Sequence, residues 1–283
     1  MKVIRTIGEL RNELRDLKLQ KKIISFVPTM GYLHEGHLSL VRYAKQNSDF
    51  CVVSIFVNPT QFAPNEDFNR YPRDEQRDLS LLEKEKSDYV FIPSAQEMYG
   101  ENYQTFVKVK KYSEILEGEF RPTHFEGVTT VVIKLFNIVQ PDFAVFGQKD
   151  AQQAFIIQKM VDDLNIPIRI DVLPIVREVD GLAMSSRNVY LQGEERNQAL
   201  CLYKGIQLAE KLYNDGERSA KVLIEKVKNL INQFSLAQID YVEIVEKKSF
   251  EKADLLKEGN EYYLLLAVRI GNTRLIDNTI LGR

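Results

Sequence analysis

Through the first two-thirds of the chain, short apolar runs alternate with polar stretches of helical period. Lys22 to Val27 (KIISFV) is a β-branched and aromatic run that predicts a strand ending at Pro28. From His37 the spacing turns helical, with Leu38, Val41 and Ala44 on one face. Cys51 to Val57 (CVVSIFV) is almost wholly apolar, as expected of a strand buried on both faces of a parallel sheet. A charged helix is predicted from Pro72 to about Lys86, then a buried strand from Tyr89 to Ile92. Val128, Val131, Val132, Leu135, Phe136 and Val139 recur at helical spacing in spite of their β-branching, so Gly127 to Val139 reads as a helix. A strand over Phe143 to Phe146, a helix over Asp150 to Leu164 and a strand over Ile168 to Val176 follow. In that helix Ile157, Met160, Val161 and Leu164 are expected to face inward. Strands alternating with helices of this length form right-handed βαβ units, so this part reads as a Rossmann-like α/β domain.

After Arg177 the pattern changes. One long helix is predicted over Gly193 to Asn214, a second over Ser219 to Phe234, and a half-buried strand over Ile239 to Val245. Tyr262 to Ile270 and Thr273 to Ile280 flank Gly271-Asn272, a two-residue hairpin signal. The fold class is therefore α/β: a Rossmann-like parallel-sheet domain over 1–175, then a smaller α+β domain over 176–283. The length of 283 residues agrees with two domains, and 44% hydrophobic residues supply a sizeable core. A net charge of −2 removes the electrostatic case for nucleic acid or an anionic membrane as partner. Tyr262 to Val268, among the longest apolar stretches, falls short of a membrane span, and the first twenty residues lack the apolar run of a signal peptide. Cys51 and Cys201 belong to no CxxC pattern, so a reduced, cytoplasmic protein is expected.

Chemistry concentrates where strands hand over to helices. In PTMGYLHEGHLSLV, His34 and His37 are three residues apart, beside Gly31 and Gly36, at the start of a helix. A helix N-terminus there presents N–H groups and a positive dipole to phosphate. The alternative is a pair of surface histidines capping a helix. A metal reading of HxxH lacks a third ligand at suitable spacing. FGQKDAQQ (Phe146 to Gln153) sets Lys149 at a turn, Asp150 as an N-cap, and Gln152 and Gln153 in the first helical turn. VREVDGLAMSSRN (Val176 to Asn188) offers two hydroxyls and a guanidinium, the makings of a phosphate clamp. SIFVNPTQF delivers Gln61 to the same strand edge, and LEGEFRPTHFEGV adds Arg121 and His124, which either enrich the rim or pack a loop.

Taken in order, PTMGYLHEGH, VSIFVNPTQF, RPTHFEGVTTVV, FGQKDAQQ and VREVDGLAMSSRN closely resemble the pantothenate synthetase (pantoate–β-alanine ligase) family. The first motif resembles the HxGH signature of nucleotidylyltransferases and class I aminoacyl-tRNA synthetases, and Met184 to Arg187 looks like the synthetases' KMSKS counterpart. The resemblance implies condensation of (R)-pantoate with β-alanine through a pantoyl adenylate, with ATP as co-substrate, Mg²⁺ accompanying it, and AMP and pyrophosphate released. It implies His37 as catalytic proton donor. ATP would be bound by Met30, Gly31, Tyr32, Leu33, His34, Glu35, Gly36 and His37, by Gly147, Gln148, Lys149 and Asp150, and by Val176, Met184, Ser185, Ser186 and Arg187. Gln61 and Gln153 would bind pantoate, with Gln61 also near β-alanine. The 1–175 domain would be catalytic and the 176–283 domain a lid. A homodimer is implied, with Cys51 to Val57 as one place for its interface. Thr123 stands where many members have glycine. In Arg73-Asp74-Glu75-Gln76-Arg77-Asp78, Arg77 breaks up the negative charge, so no protein ligand to Mg²⁺ is named.

Three other readings compete. An adenylyltransferase acting on a phosphate ester would favour Arg or Lys where Gln61 and Gln153 stand. A nucleotide sensor would not require both histidines together with Lys149 and Arg187. A tRNA synthetase fragment is poorly served by the near-neutral charge and the missing anticodon-binding extension.

Overall fold

The computed structural model describes residues 1–64 and 66–282. It divides into two compact units, Met1–Gln148 with Gln152–Pro174, and Lys149–Ala151 with Ile175–Arg283. The first unit is built on one parallel sheet of β1 (Lys2–Ile4), β2 (Ile24–Thr29), β3 (Phe50–Ile55), β4 (Tyr89–Phe91), β5 (Phe143–Gly147) and β6 (Arg169–Leu173). The strand order is β1-β4-β3-β2-β5-β6. Its helices are α1 (Ile7–Leu19), α2 (Glu35–Gln46), α3 (Glu75–Lys84), the single-turn α4 (Ala95–Met98) and α5 (Glu117–Phe120), α6 (His124–Val139) and α7 (Ala151–Asp163).

Strand side chains alternate between two cores, as the period of two requires. Phe26, Val52 and Ala144 join Leu10 and Leu14 of α1, Val132 and Phe136 of α6, and Ile157 and Met160 of α7 on one face. Val27, Val53 and Val145 meet Leu38 and Val41 of α2 and Leu82 of α3 on the other. Cys51 to Val53 are fully buried in this arrangement, between β2 and β4, so this stretch has no face to offer a second copy. Of the segment Cys51 to Val57 expected near a dimer interface, the first three residues are thus covered by the protein's own core, while Val57 is half-buried.

Pro28 does not end its strand. It pairs with Ser54 of β3, and β2 runs on to Thr29. Backbone groups of successive residues point to opposite sides, and Thr29 O, which accepts from Phe56 N at 3.0 Å, faces β3. Position 28 therefore faces β5, where no ladder bond is lost, because β2 and β5 pair only at Ser25–Phe143 and Phe26–Ala144. Beyond Phe26 the two strands continue without pairing to each other. This is the point where the strand order reverses direction, the usual place for a ligand crevice in an open α/β sheet.

Other boundaries shift for local reasons. α3 starts at Glu75, not Pro72, because the Asp74 side chain accepts from Arg77 N and caps it there. Leu164 lies beyond the end of α7 and is 52% exposed rather than inward, with Asn165 in the left-handed region. The last parallel strand stops at Leu173. Thr6 caps α1, and β1 and α1 are additions to the elements that the sequence predicts.

The second unit has an antiparallel sheet of β7 (Ala237–Glu246), β8 (Tyr262–Ile270) and β9 (Thr273–Leu281) in that order, with α8 (Glu194–Gln198), α9 (Cys201–Asn214) and α10 (Ala220–Ile231). Leu202 and Ile206 of α9 and Leu223, Val227 and Ile231 of α10 cover Ile244, Leu264 and Leu266. The single helix expected over Gly193–Asn214 is two, because bonds from Leu200 N to Asn197 O and from Leu202 N to Ala199 O tighten the chain to a three-residue turn. Gly271 takes φ +55 in the hairpin, as a turn with glycine first demands. Among the described residues no helix is long and apolar enough to cross a membrane.

Candidate active site

The loop leaving β2 is held in a conformation few residues adopt. Gly31 and Tyr32 take φ +84 and +49 in succession. A Cβ on Gly31 would lie 2.9 Å from Ile55 Cγ2 and 3.1 Å from Asp78 Oδ2, so glycine is required there by space as well as by angle. Asp78 of α3 is 1% exposed, and its two oxygens accept Tyr32 N and Leu33 N, each at 2.7 Å. Burial pushes its carboxyl above the ordinary value, opposed by those two amides and the Arg77 guanidinium. That guanidinium also stacks 5.1 Å over the Tyr32 ring.

His34 and His37 then cap α2 reciprocally. Gly36 N donates to His34 Nδ1 at 3.2 Å and His34 N donates to His37 Nδ1 at 3.3 Å, with ring centroids 4.1 Å apart. Both Nδ1 atoms therefore act as acceptors, which assigns the proton of each neutral ring to Nε2. The capping reading and the phosphate reading of the pair are thus compatible, since capping itself fixes two Nε2–H donors at the start of a helix. Glu35 is exposed and ion-paired along α2 with Arg42.

Gln61 sits in a 3-10 turn, Pro59–Gln61, at the carboxyl end of β3. Its Oε1 accepts Asn58 Nδ2 at 3.1 Å, and its Nε2 lies 3.1 Å from the Met30 sulfur. Asn58 is itself oriented. Its Oδ1 accepts from Tyr99 Oη at 2.8 Å and from Thr60 Oγ1 at 3.0 Å, while Nδ2 also donates to Gly127 O at 3.1 Å. Each amide can face only one way in this chain of bonds, so Gln61 is left presenting its NH₂ through a weak bond to a thioether. A carboxylate or hydroxyl oxygen could replace that bond at little cost. Burial raises the Tyr99 hydroxyl to about 12, so it stays a donor at any ordinary pH. Gly127 lets α6 approach this turn: a Cβ there would lie 2.4 Å from Thr60 O and 2.6 Å from Gln61 N.

Arg121 and His124 support the same turn. Arg121 forks onto Glu66 at 2.7 and 2.8 Å and reaches Gln61 O at 3.4 Å, and His124 Nδ1 lies 3.1 Å from that carbonyl. Of the two roles open to this pair, the structure displays loop packing. Thr123 has ordinary right-handed backbone (φ −99°, ψ −7°), so the family's usual glycine is not needed there. Across the gap beside β2, Gly147 ends β5, and a Cβ added to it meets nothing within 4 Å. Gln148 is buried. Gln153 is half-buried in the first turn of α7, next to Gln152, whose amide holds Glu117 N, Tyr112 O and Ile115 O.

In the second unit, Lys149 Nζ lies 4.0 Å from Asp150 Oδ1, and its carbonyl accepts Asn278 Nδ2 at 2.9 Å. Val176 O accepts Met184 N at 3.0 Å, closing a short hairpin. Ser185 Oγ then accepts Arg187 N at 3.3 Å, starting a 3-10 turn, Ser186–Tyr190, in which Ser186 is buried and Arg187 half-buried. No group of three His, Cys, Asp or Glu side chains that could hold a metal occurs among the described residues. Both oxygens of Asp78, the buried carboxylate that holds the loop leading to the histidines, are already taken by amides. These residues do not fit a metal caged by the protein.

A protein-family model described as pantoate-beta-alanine ligase matches residues 2–280. The chain belongs to the pantoate–β-alanine ligase family. It is 58% identical over 276 residues to the pantothenate synthetase of Thermoanaerobacter sp. (strain X514), covering 98% of this chain and 97% of that one. The crystal structure of pantothenate synthetase from Thermus thermophilus superposes with a TM-score of 0.94 at 40% identity, both chains being covered in full. A pantoate-beta-alanine ligase from Francisella tularensis, described as complexed with beta-gamma ATP and beta-alanine, superposes with a TM-score of 0.81 at 34% identity, covering 100% of this chain and 98% of that one.

Against that family background, three supporting residues stand out that the sequence did not single out: Asp78, Tyr99 and Arg177. Asp78 carried a readable signal, because it shares a helix face with Leu82, four residues on and fully buried. An acid on the apolar stripe of a helix needs partners. Tyr99 carried none, since its partner Asn58 is distant in sequence, and neither did Arg177, whose carboxylate partner Asp277 lies 100 residues on.

Proposed function

We propose that this chain condenses pantoate with β-alanine at the expense of ATP. In the first step a pantoate carboxylate oxygen attacks the α-phosphorus and the bond to the β-phosphate oxygen breaks, giving pantoyl adenylate and pyrophosphate. In the second, the β-alanine amine attacks the acyl carbon, an amide forms, and AMP leaves as the nitrogen loses its proton. Neither step needs a protein nucleophile. Both need anions held in line and charge stabilised on the leaving phosphate.

One observation carries the reading most directly: the reciprocal histidine cap that follows β2, where β2 and β5 no longer pair with each other. It supports His37 as a hydrogen-bond donor that stabilises charge on the departing phosphate oxygen, with His34 assisting, since both rings carry their neutral proton on Nε2 while Nδ1 accepts a backbone amide. The oriented amide of Gln61 supports a pantoate oxygen as its partner, and Gln153 belongs to the same assignment. This reading assigns Lys149, Ser185, Ser186 and Arg187 to the phosphates, and Met30 to Gly36, Gly147 to Asp150, Val176 and Met184 to the rest of ATP. Mg²⁺ would enter on the phosphates of ATP as part of the substrate. The reading carries with it a cytoplasmic homodimer that takes small molecules and no nucleic acid.

The deciding experiment follows pyrophosphate release from MgATP with pantoate present, β-alanine being added or withheld. Sustained turnover only with both, and one AMP per pyrophosphate, is expected. His37→Ala should lower kcat by about 10²-fold or more while the protein stays folded. ATP binding without any pantoate-dependent release would refute the ligase reading and favour transfer of AMP to a phosphorylated acceptor.

A further inference from the structure

Within the second unit, one guanidinium ties together segments that the proposed function assigns to ATP. Arg177 forks onto Asp277 of β9 at 2.7 and 3.0 Å, and the Asp277 side chain is 2% exposed. The same guanidinium donates to Gly181 O at 3.1 Å and to Asn278 O at 3.4 Å, and lies 4.8 Å over the Tyr203 ring. Gly181 is forced to be glycine by this packing, since it takes φ +95 and an added Cβ would lie 2.0 Å from that ring.

From this point two arms extend. Along β9, Asp277 Oδ1 accepts Asn278 N at 2.8 Å, and the Asn278 side chain donates to Lys149 O at 2.9 Å. Along the hairpin, Arg177 pairs with Ala183, and Val176 O receives Met184 N. Asn188 Nδ2 then bonds Ala183 O at 3.1 Å and Glu178 Oε1 at 2.7 Å, closing the Met184–Arg187 segment back on the hairpin. We infer that Arg177, Asp277 and Asn278 are positioning residues that hold Lys149 and the Met184–Arg187 segment in one fixed arrangement for the phosphates of ATP. This inference rests on the ATP assignment made above for those two segments.

Asn278→Ala is the sharpest test, because it deletes the bond to Lys149 while both backbone bonds of residue 278 remain. ATP affinity is measured by calorimetry, and KM for ATP, pantoate and β-alanine by pyrophosphate release, alongside thermal unfolding. The expected result is ATP binding weakened about five-fold, with KM for pantoate and the unfolding temperature unchanged. Arg177→Lys, which keeps the charge and loses the fork, should weaken ATP further. Adding Asn278→Ala to it should then change little, because the two act through one unit. Unchanged ATP affinity in Asn278→Ala overturns the inference, and so does an equal rise in KM for ATP and pantoate with a lowered unfolding temperature. Failure of the wild-type protein to turn over pantoate condemns the ligase reading alone, since the calorimetric comparison still decides this one.

Discussion

Gly127→Ala sets two effects of opposite sign against each other. Position 127 lies in the body of α6, where alanine is favoured over glycine by about 1 kcal/mol. The new methyl would meet Thr60 O at 2.4 Å and the Cα and N of Gln61 at 2.6 Å, all of them backbone. Ordinary contact begins near 3.4 Å, so the helix and the turn must part by about 1 Å. Overpacking of that kind costs about 1–3 kcal/mol, and stretching the Asn58 Nδ2 bond to Gly127 O adds to it. The steric cost wins, giving a net loss of about 1 kcal/mol and an unfolding temperature lower by about 2–4 °C. Activity should suffer more than stability, because Gln61 rides on the displaced turn. A misplacement of ~1 Å is worth up to about 10² in rate. The assay is pantoate-dependent pyrophosphate release, with the loss expected in kcat/KM for pantoate and KM for ATP preserved. A Gly127→Ala protein that unfolds at a higher temperature with unchanged kcat/KM would refute the argument, since propensity would then have won and the close approach would be immaterial.

Two further outcomes follow from the same cluster. Asn58→Asp cannot donate to Gln61 Oε1 or Gly127 O, so the Gln61 amide should turn over and present oxygen to an anionic substrate. KM for pantoate should rise about 10–100-fold with KM for ATP unchanged, and an unaltered pantoate KM would show that amide orientation is irrelevant. For Glu66, burial pushes the carboxyl up, but the Arg121 fork, its charge, the Ala63 amide and His124 together hold it below its ordinary 4.5. A depressed folded value means that the pair's stabilisation is present above pH 4.5 and is lost as pH falls through the lower folded value. Denaturant midpoints measured from about pH 7 to 3 should fall more steeply for wild type than for Glu66→Gln, and parallel curves would contradict the assignment.

What the sequence made legible was whatever depends on local period. CVVSIFV reads as a doubly buried strand because both of its faces are apolar, and β3 has that burial. The β-branched helix over Gly127 to Val139 was readable because spacing outweighs propensity when one face is buried, and α6 merely starts three residues earlier. Capping chemistry decided the misplaced starts. Pro72 is a reasonable first helical residue, yet Asp74 offers the first free amides a better partner. Likewise β1 gives no signal of its own, since a three-residue edge strand is recognisable only once β4 is there to pair with it.

The candidate site was legible as a set of residue types and illegible as a set of orientations. His34 and His37 could be named from their spacing, but only the accepted bonds to Nδ1 say which nitrogen of each ring carries the proton. Gln61 could be named as a hydroxy-acid partner, but which end of its amide meets Asn58 and which the Met30 sulfur is decided by the Gly127 carbonyl, 66 residues away, acting through Asn58. Pro28 carries the same lesson. In sequence it marks a strand's end, whereas in the sheet its missing N–H falls on the side where β2 and β5 have already parted. A proline on that side cannot help to close the gap by a ladder bond, so the residue read as a terminator is better understood as one that leaves β2 and β5 apart.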